Sequence, residues 1–344
     1  MAVTIKDVAK MAGVSTSTVS RVLNNSPLIS PETVIRVKKA MQELNYFPNS
    51  MARSFANQST YTIALIVDID NSKAFANPFF YQVQYGIEKV LCKRGYYLMI
   101  ANEKTMIDRE AALSKFVFEK RVDGIILPAS LLKKSFVKKM EEQKFPFVVL
   151  GEPNFHFDVN WVDIDNQMAG KVAANHLIDN GYRKIAFIAG SFEDKFNRHR
   201  LDGYKKALEE HNMELNEELI SEGGCTKEDG YRLMKNLIET KDFLDAVIFT
   251  NNIAAFGALT AIKEKGYKIP EEFGLVSFDN YPVAEFSDPK MTTVDIDVVD
   301  LGMQAATMLL KEIETPSTSK QHSLLSVELV SRGTSKKLRL RGNS

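Results

Sequence analysis

Apolar positions recur at helical spacing in three short stretches at the start of the chain. Beyond residue 60 the pattern changes to compact apolar runs separated by amphipathic segments. Ile5, Val8, Ala9 and Ala12 fall on one face of a first helix. Thr4 is placed to cap it, and the acidic Asp7 completes a capping-box-like start. Gly13 predicts a turn, because glycine takes a positive φ without steric cost. Ser15 caps a second helix whose Val19, Val22 and Leu23 face inward. Ser30-Pro31, an N-cap followed by proline at the first helical position, opens a third. That helix carries Val34, Val37, Met41 and Leu44 toward a three-helix core.

The separation of the small and apolar positions carries the meaning. Ala9 must be small for two helices to approach, Gly13 makes the turn, and Val19 pins the second helix on the first. This is helix-turn-helix spacing. The second helix turns Thr16, Ser17, Thr18, Ser20 and Arg21 outward. Short hydroxyls can approach base edges and phosphates, and an arginine can bond guanine with two donors. The same hydroxyls also serve simply to cap and solvate a short helix. Pro48 then breaks the chain, and Asn49 can cap a helix reaching only to Ala56. Two turns are not stable alone in water. Docked on DNA beside a symmetry mate, such a helix would fold on binding and couple the head to the rest of the chain.

From Tyr61 the pattern reads as α/β. The runs Thr62–Val67, Tyr97–Ile100, Gly124–Leu127 and Phe147–Leu150 predict buried parallel strands. After Asp163-Ile164-Asp165-Asn166 a second series begins, at Lys184–Ala189, Ala246–Thr250 and Gly274–Phe278. Two successive series predict two lobes with a cleft between them, and ligands of open parallel sheets sit beyond the carboxyl ends of strands. Asp68, the turn Asn77-Pro78-Phe79-Phe80, the helix start Arg198–Tyr204, Asn251-Asn252 and Asp279-Asn280 all stand at such ends. Asp, Asn and Arg suit a polyhydroxylated ligand, since each planar group can satisfy neighbouring hydroxyls. Each is equally an ordinary helix cap.

Composition narrows the class. Of 344 residues, 44% are hydrophobic and 26% charged, as in a soluble protein of more than one domain. Net charge is zero but unevenly placed. The first sixty residues carry Lys6, Lys10, Arg21, Arg36, Lys38, Lys39 and Arg53 against Asp7, Glu32 and Glu43, and the tail adds Lys336, Lys337, Arg339 and Arg341. A basic head on an acidic body fits DNA binding, although a solvated surface face gives the same excess. Two cysteines, Cys92 and Cys225, exclude a disulfide framework and are expected as buried small hydrophobes in a reducing cytoplasm. No apolar leader and no run near about 18 apolar residues is present, so neither secretion nor a membrane span is expected. GxGxxG, Walker A, HExxH and GxSxG runs are absent, and five scattered histidines form no metal constellation. An enzyme, a metal and a cofactor are accordingly not expected.

The run Val3-Thr4-Ile5-Lys6-Asp7-Val8-Ala9, then Gly13-Val14-Ser15 and Thr18-Val19-Ser20-Arg21-Val22-Leu23-Asn24, resembles the head of the lactose-repressor family of bacterial transcription regulators, and the resemblance runs over nearly the whole chain. It implies a three-helix helix-turn-helix head (residues 1–46), a hinge helix and linker (47–60), a two-lobed periplasmic-binding-protein-like body with parallel sheets (61–334) and a basic tail (335–344). By the resemblance Thr16, Ser17 and Arg21 read bases, with Thr4, Ser15, Thr18, Ser20 and Asn24 counted among the DNA contacts. Asn49 and Ala52 lie in the hinge helix. Phe55 stands where the family usually places a leucine wedge in the minor groove, and a phenylalanine there either unstacks a base step or packs on the body. Sugar-responsive members place effector contacts where this chain has Asp68, Asp165, Arg200, Asn251 and Asp279. The chain departs from members with an aromatic platform before the Gly230-Tyr231 helix, reading Gly224-Cys225-Thr226 there. A stacking ring must then come from Phe79 or Phe80, or from Trp161.

The implied activity is a cytoplasmic homodimeric repressor of carbohydrate-utilisation genes, bound to a near-palindromic operator in double-stranded DNA and released by a sugar. The alternative is a regulator whose DNA binding is strengthened by a protein corepressor or a phosphorylated metabolite. The runs Asn77-Pro78-Phe79-Phe80 and Glu119–Ile126 most resemble the maltose-responsive branch, and the short tail lacks the sustained heptads of a tetramerising zipper.

Overall fold

The structure, a computed structural model, describes residues 3–23, 26–46, 59–67, 78–102, 116–155, 157–241 and 243–336. The expected hinge helix with Asn49, Ala52 and Phe55, the residues Asn24, Asp68 and Asn77, and the tail beyond Lys336 lie outside them. The chain divides into two compact units, Met1–Tyr61 and Thr62–Ser344.

In the first unit α1 spans Ile5–Ala12, α2 Thr16–Leu23 and α3 Pro31–Glu43. The Thr4 amide and hydroxyl both donate to Asp7 Oδ2, at 2.8 and 2.7 Å, so the acid three residues on closes the helix start. These bonds hold the Asp7 carboxyl below its ordinary range. Gly13 adopts φ 64°, the left-handed turn that ends α1. Val8, Val19 and Val37 are fully buried at the centre of a small core, with Ala9, Ala12, Val22 and Ala40 around them. Ile5, Leu23, Val34, Met41 and Leu44 pack partly buried at its edge.

The second unit is built on two six-stranded sheets. The first contains β1 (Thr62–Val67), β2 (Tyr97–Asn102), β3 (Gly124–Pro128), β4 (Phe147–Leu150), β5 (Trp161–Ile164) and β11 (His322–Leu325), in the order β11-β5-β4-β3-β1-β2, all parallel. Alternation along β1 explains why it is buried on both faces. Ile63, Leu65 and Val67 enter one core with helices α4 (Pro78–Lys93) and α11 (Val298–Glu314), and Ala64 and Ile66 enter the other with α5 (Lys134–Glu142).

The second sheet holds β6 (Ile185–Ala189), β7 (Ile220–Glu222), β8 (Ala246–Phe249), β9 (Gly274–Phe278), β10 (Thr292–Asp295) and β12 (Glu328–Val330), ordered β12-β10-β9-β8-β6-β7. Only the β10–β12 pair is antiparallel. Ile185 and Phe187 pack with α6 (Asn166–Asp179) and α7 (Lys195–Glu210), while Ala186 and Ile188 face α8 (Lys227–Thr240) and α9 (Asn252–Glu264). A short α10 (Val283–Phe286) comes after β9.

The sequence predicts two successive lobes, and the structure interleaves them. The chain crosses from β5 to α6, returns from β10 to α11, whose helix packs on α4, and crosses again from β11 to β12. The expected buried cysteines are also corrected, for both are exposed. Helix α4 turns Val83, Ile87 and Leu91 inward, which carries Cys92 about 100° round to the outer face. Cys225 sits in the loop ahead of α8. Among the described residues no helix is long and apolar enough to cross a membrane, and no cluster of His, Cys, Asp or Glu could hold a metal.

Candidate functional site

Two surfaces collect the chemistry. On the head, the Ser15 hydroxyl caps α2 by accepting the Thr18 amide at 3.1 Å, and it shares hydrogen bonds with the Ser17 and Thr18 hydroxyls. Thr16, Ser17, Ser20 and Arg21 are exposed and Thr18 is half-buried, while Val19 and Val22 on the opposite face anchor the helix. The Arg21 guanidinium makes no hydrogen bond or ion pair among the described residues. A helix fixed from behind and lined in front with hydroxyls and an unengaged guanidinium can enter a major groove. Thr4, in contrast, already spends its hydroxyl on Asp7.

In the second unit a cavity of about 370 Å³ opens between the lobes. Its walls are the carboxyl ends of strands from both sheets: Pro128 ending β3, Leu150 ending β4 with Gly151 and Glu152 beyond it, Asp163 and Ile164 of β5, Thr250 and Asn251 after β8, and Asp279 after β9. At its floor lies Arg200, only 5% exposed. Its Nε donates to Asn166 Oδ1 and its Nη1 to the Thr250 carbonyl, both at 2.9 Å. The guanidinium carbon rests 4.1 Å from the centre of the Phe278 ring and 5.4 Å from that of Phe196. Burial pulls the Arg200 pKa down and the nearby Asp279 and Asp163 pull it back up, and the side chain stays a cation. Nη2 has no hydrogen-bond partner among the described residues.

Close helix packing places this arginine. A Cβ at Gly170 would fall 1.9 Å from the Arg200 carbonyl oxygen, and one at Gly203 2.0 Å from that of Gln167. Only hydrogen at both positions lets α6 and α7 approach this far.

Two carboxylates accompany Arg200. Asp163 Oδ2 accepts the Glu152 amide at 2.9 Å, and Oδ1 accepts the Ile164 amide at 2.7 Å and Asn166 Nδ2 at 3.2 Å. Burial raises its pKa against those backbone bonds. Asp279 has φ 65° and lines the cavity. Its carboxyl is pushed up to about 6 by burial, with Arg200 opposing and Asp295 adding to the rise. Asn251, which lines the cavity, accepts the Ala254 amide at 3.0 Å as the cap of α9, and its NH2 group has no hydrogen-bond partner among the described residues.

Of the effector residues expected from sequence, the structure thus brings together Phe79, Arg200, Asn251 and Asp279. Asp165 is elsewhere. It caps α6 by accepting the Met168 amide at 2.8 Å, and Asp163 and Asn166 on either side of it line the cavity instead. Trp161 is also elsewhere, stacked on His322 at 4.8 Å where β5 starts, and Phe80 packs into the first lobe's core. The second ring at the cavity is Phe196, which the sequence reading missed. It lies one helical turn before Arg200, so helical spacing alone could have found it.

Also unanticipated is a latch that joins cavity-lining residues of the two lobes. Lys195 of α7 donates to Glu152 Oε1 at 2.5 Å and to the Pro153 carbonyl at 3.1 Å. His199 Nε2 lies 3.1 Å from the same carboxylate, and Arg198 reaches Asn154 Oδ1 at 3.4 Å.

A helix-turn-helix unit in one chain with a two-lobed body that has a cavity between its lobes is the organisation of a DNA-binding regulator. Residues 4–49 match the bacterial regulatory proteins of the lacI family, and residues 174–335 match the periplasmic binding protein-like domain. The regulator MalR of Streptococcus pneumoniae is 37% identical over 93% of this chain and 96% of its own. The solved complex of the regulator CelR with cellobiose has a TM-score of 0.73 at 33% identity, covering 97% of this chain and 100% of that one. The lac repressor dimer bound to operator and the anti-inducer ONPF has a TM-score of 0.80 at 25% identity, covering 98% and 100%. The chain belongs to the lacI family, and it is a helix-turn-helix transcriptional regulator.

Proposed function

We propose that this protein is a cytoplasmic, homodimeric repressor of carbohydrate-utilisation genes, released from a near-palindromic operator by a sugar bound between the lobes of its body. The observation that carries the reading is the convergence, at the carboxyl ends of strands from both sheets, of a buried arginine, a carboxylate, a free amide and two exposed rings. Arg200 Nη2 and Asn251 Nδ2 donate to sugar oxygens, Asp279 accepts from sugar hydroxyls, and Phe79 and Phe196 cover the apolar face of the ring. The CelR complex with cellobiose, similar over almost the whole chain, supports a small saccharide as the ligand class. The dimeric lac repressor on its operator supports two heads reading two half-sites.

On this reading Ser15, Thr16, Ser17, Thr18, Ser20 and Arg21 form the described part of the DNA face, and residues 47–60 link it to the body. The sugar acts by binding one arrangement of the lobes more tightly than the other, which lowers operator affinity by the same coupling free energy.

The test is fluorescence anisotropy on a two-fold operator selected from random DNA, with cellobiose, maltose and a panel of small sugars. Release by one sugar is expected. Operator binding indifferent to every sugar but tightened by a partner protein or a phosphorylated metabolite would replace release with corepression. Failure to enrich any site would remove the DNA reading.

A further inference from the structure

Asp279 is the one proposed ligand contact whose backbone is in the left-handed region, with φ 65° at a residue that is not glycine. Such a conformation costs free energy and persists where its surroundings over-determine it. What holds it lies behind the cavity, in the C-terminal segment.

Arg332 comes just after β12, and its side chain is 11% exposed. Its Nη1 donates to the Met291 carbonyl at 3.1 Å and to Thr293 Oγ1 at 3.2 Å, both at the start of β10. Its Nη2 donates to Asn280 Oδ1 at 2.7 Å and lies 3.2 Å from Glu285 of α10. Asn280 is then held three ways. Its Oδ1 also accepts Thr293 Oγ1 at 3.3 Å, and its Nδ2 donates to Asp295 Oδ2 at 3.2 Å. The Asp279 amide donates to the Val294 carbonyl at 3.0 Å, and the Asp279 carbonyl accepts the Tyr281 amide at 2.8 Å.

We propose that Arg332 is the positioning residue of the cavity: its guanidinium clamps Asn280, and through Asn280 holds Asp279 in the left-handed turn that presents its carboxylate beside Arg200. This rests on the reading of the cavity as a sugar site. The planar fork suits the task because it reaches β10, the β9–α10 turn and α10 with fixed geometry, which a lysine cannot do. The competing role for Arg332 is to fasten the C-terminal segment to the second lobe. Thr334 performs that role separately: its hydroxyl donates to the Leu275 carbonyl at 2.7 Å and accepts the Thr292 amide at 2.8 Å, and it touches neither Asn280 nor Asp279.

The experiment is hydrogen–deuterium exchange of the full, ligand-free chain, read at the amides of Asp279 and Tyr281. The variants are Arg332→Lys, Asn280→Ala, their double, and Thr334→Val as control. Each single variant is expected to speed exchange at least tenfold at these two amides, the double to add nothing further, and Thr334→Val to leave them unchanged. Should Arg332→Lys fail to fold, Asn280→Ala against Thr334→Val decides alone. Unchanged exchange in a folded Arg332→Lys or in Asn280→Ala, additive effects in the double, or equal acceleration by Thr334→Val would overturn the proposal. A parallel cellobiose and maltose titration separates the two readings. Where the wild type binds either sugar, Arg332→Lys should weaken it at least tenfold with operator affinity kept. A wild type that binds neither counts against the sugar reading, and the exchange result still decides the role of Arg332.

Discussion

Arg200 sits over Phe278, its guanidinium carbon 4.1 Å from the ring centre, and Phe278 is the last residue of β9 before Asp279. One contact thus ties a helix of the second lobe to the strand end that carries Asp279. The ring covers one face of the cation, Asn166 and the Thr250 carbonyl take two of its nitrogens, and the remaining nitrogen is left for a ligand.

Replacing this arginine should separate ligand response from DNA binding. Arg200→Lys keeps the charge but loses the fork, and should abolish sugar-induced release while operator affinity stays at the wild-type level. Arg200→Ala should in addition lower stability by roughly 1.5–3 kcal/mol, the scale of a lost hydrogen bond to a charged group. Anisotropy titrations with and without sugar, together with thermal melts, check both. A normal sugar response in Arg200→Lys would displace the site from this cavity.

Asp279 makes stability depend on pH with a defined sign. Its carboxyl titrates near 3.8 in an unfolded chain and at about 6 in the folded one. Between those values the folded state binds a proton that the unfolded state lacks. Acidification through this window therefore stabilises the fold, and raising the pH through it removes that stability. Asp163, also raised, contributes with the same sign. Asp279→Asn should flatten part of the melting-temperature rise expected on lowering the pH from about 6 to about 4. Parallel wild-type and variant curves would exclude Asp279 as a source. Sugar affinity should run the other way, weakening as the pH drops below about 6 because the protonated carboxyl gives up an acceptor.

A methyl group at position 170 would meet the Arg200 carbonyl oxygen at 1.9 Å. Gly170→Ala should force α6 and α7 apart, lowering stability by about 1–3 kcal/mol as overpacking does. It should also weaken sugar binding through the displaced Arg200. A variant that melts lower yet binds sugar normally would show that the helix contact does not position the guanidinium.

The latch between the lobes should act on rates. Glu152→Gln removes the charge shared by Lys195 and His199, so sugar dissociation should quicken while the contacts on Arg200 and Asp279 remain. Stopped-flow displacement measures this directly, and an unchanged off-rate would make the latch incidental to ligand exit.

On the head, Arg21→Ala should cost roughly 1–3 kcal/mol of operator binding and relax preference at one base position. The side chain is exposed and unengaged, so the melting temperature of the head should not move. Selection of binding sites by the variant, compared with wild type, reads the relaxation; an identical selected sequence would mean Arg21 touches phosphate only.

What the sequence determined by itself is what short-range physics controls. The head is legible because its helices, cap and turn depend on residues within a few positions: Thr4 with Asp7, Gly13 at its positive φ, Val19 and Val22 against Val8. The central strands are legible because burial on both faces demands unbroken apolar runs such as residues 63–67 and Ile185–Ala189. The strands β5, β7, β10, β11 and β12 are not legible, since three or four residues of mixed polarity carry no period, and only pairing with a distant partner makes them strands. The tertiary structure likewise decided that Asp163 and not Asp165 reaches the cavity, because a helix begins at Asn166 and takes Asp165 as its cap. It decided that Cys92 faces outward and that Arg332, far along the chain from Asp279, stands behind it. Those placements depend on which elements pack together across long sequence separations, and no local pattern encodes them.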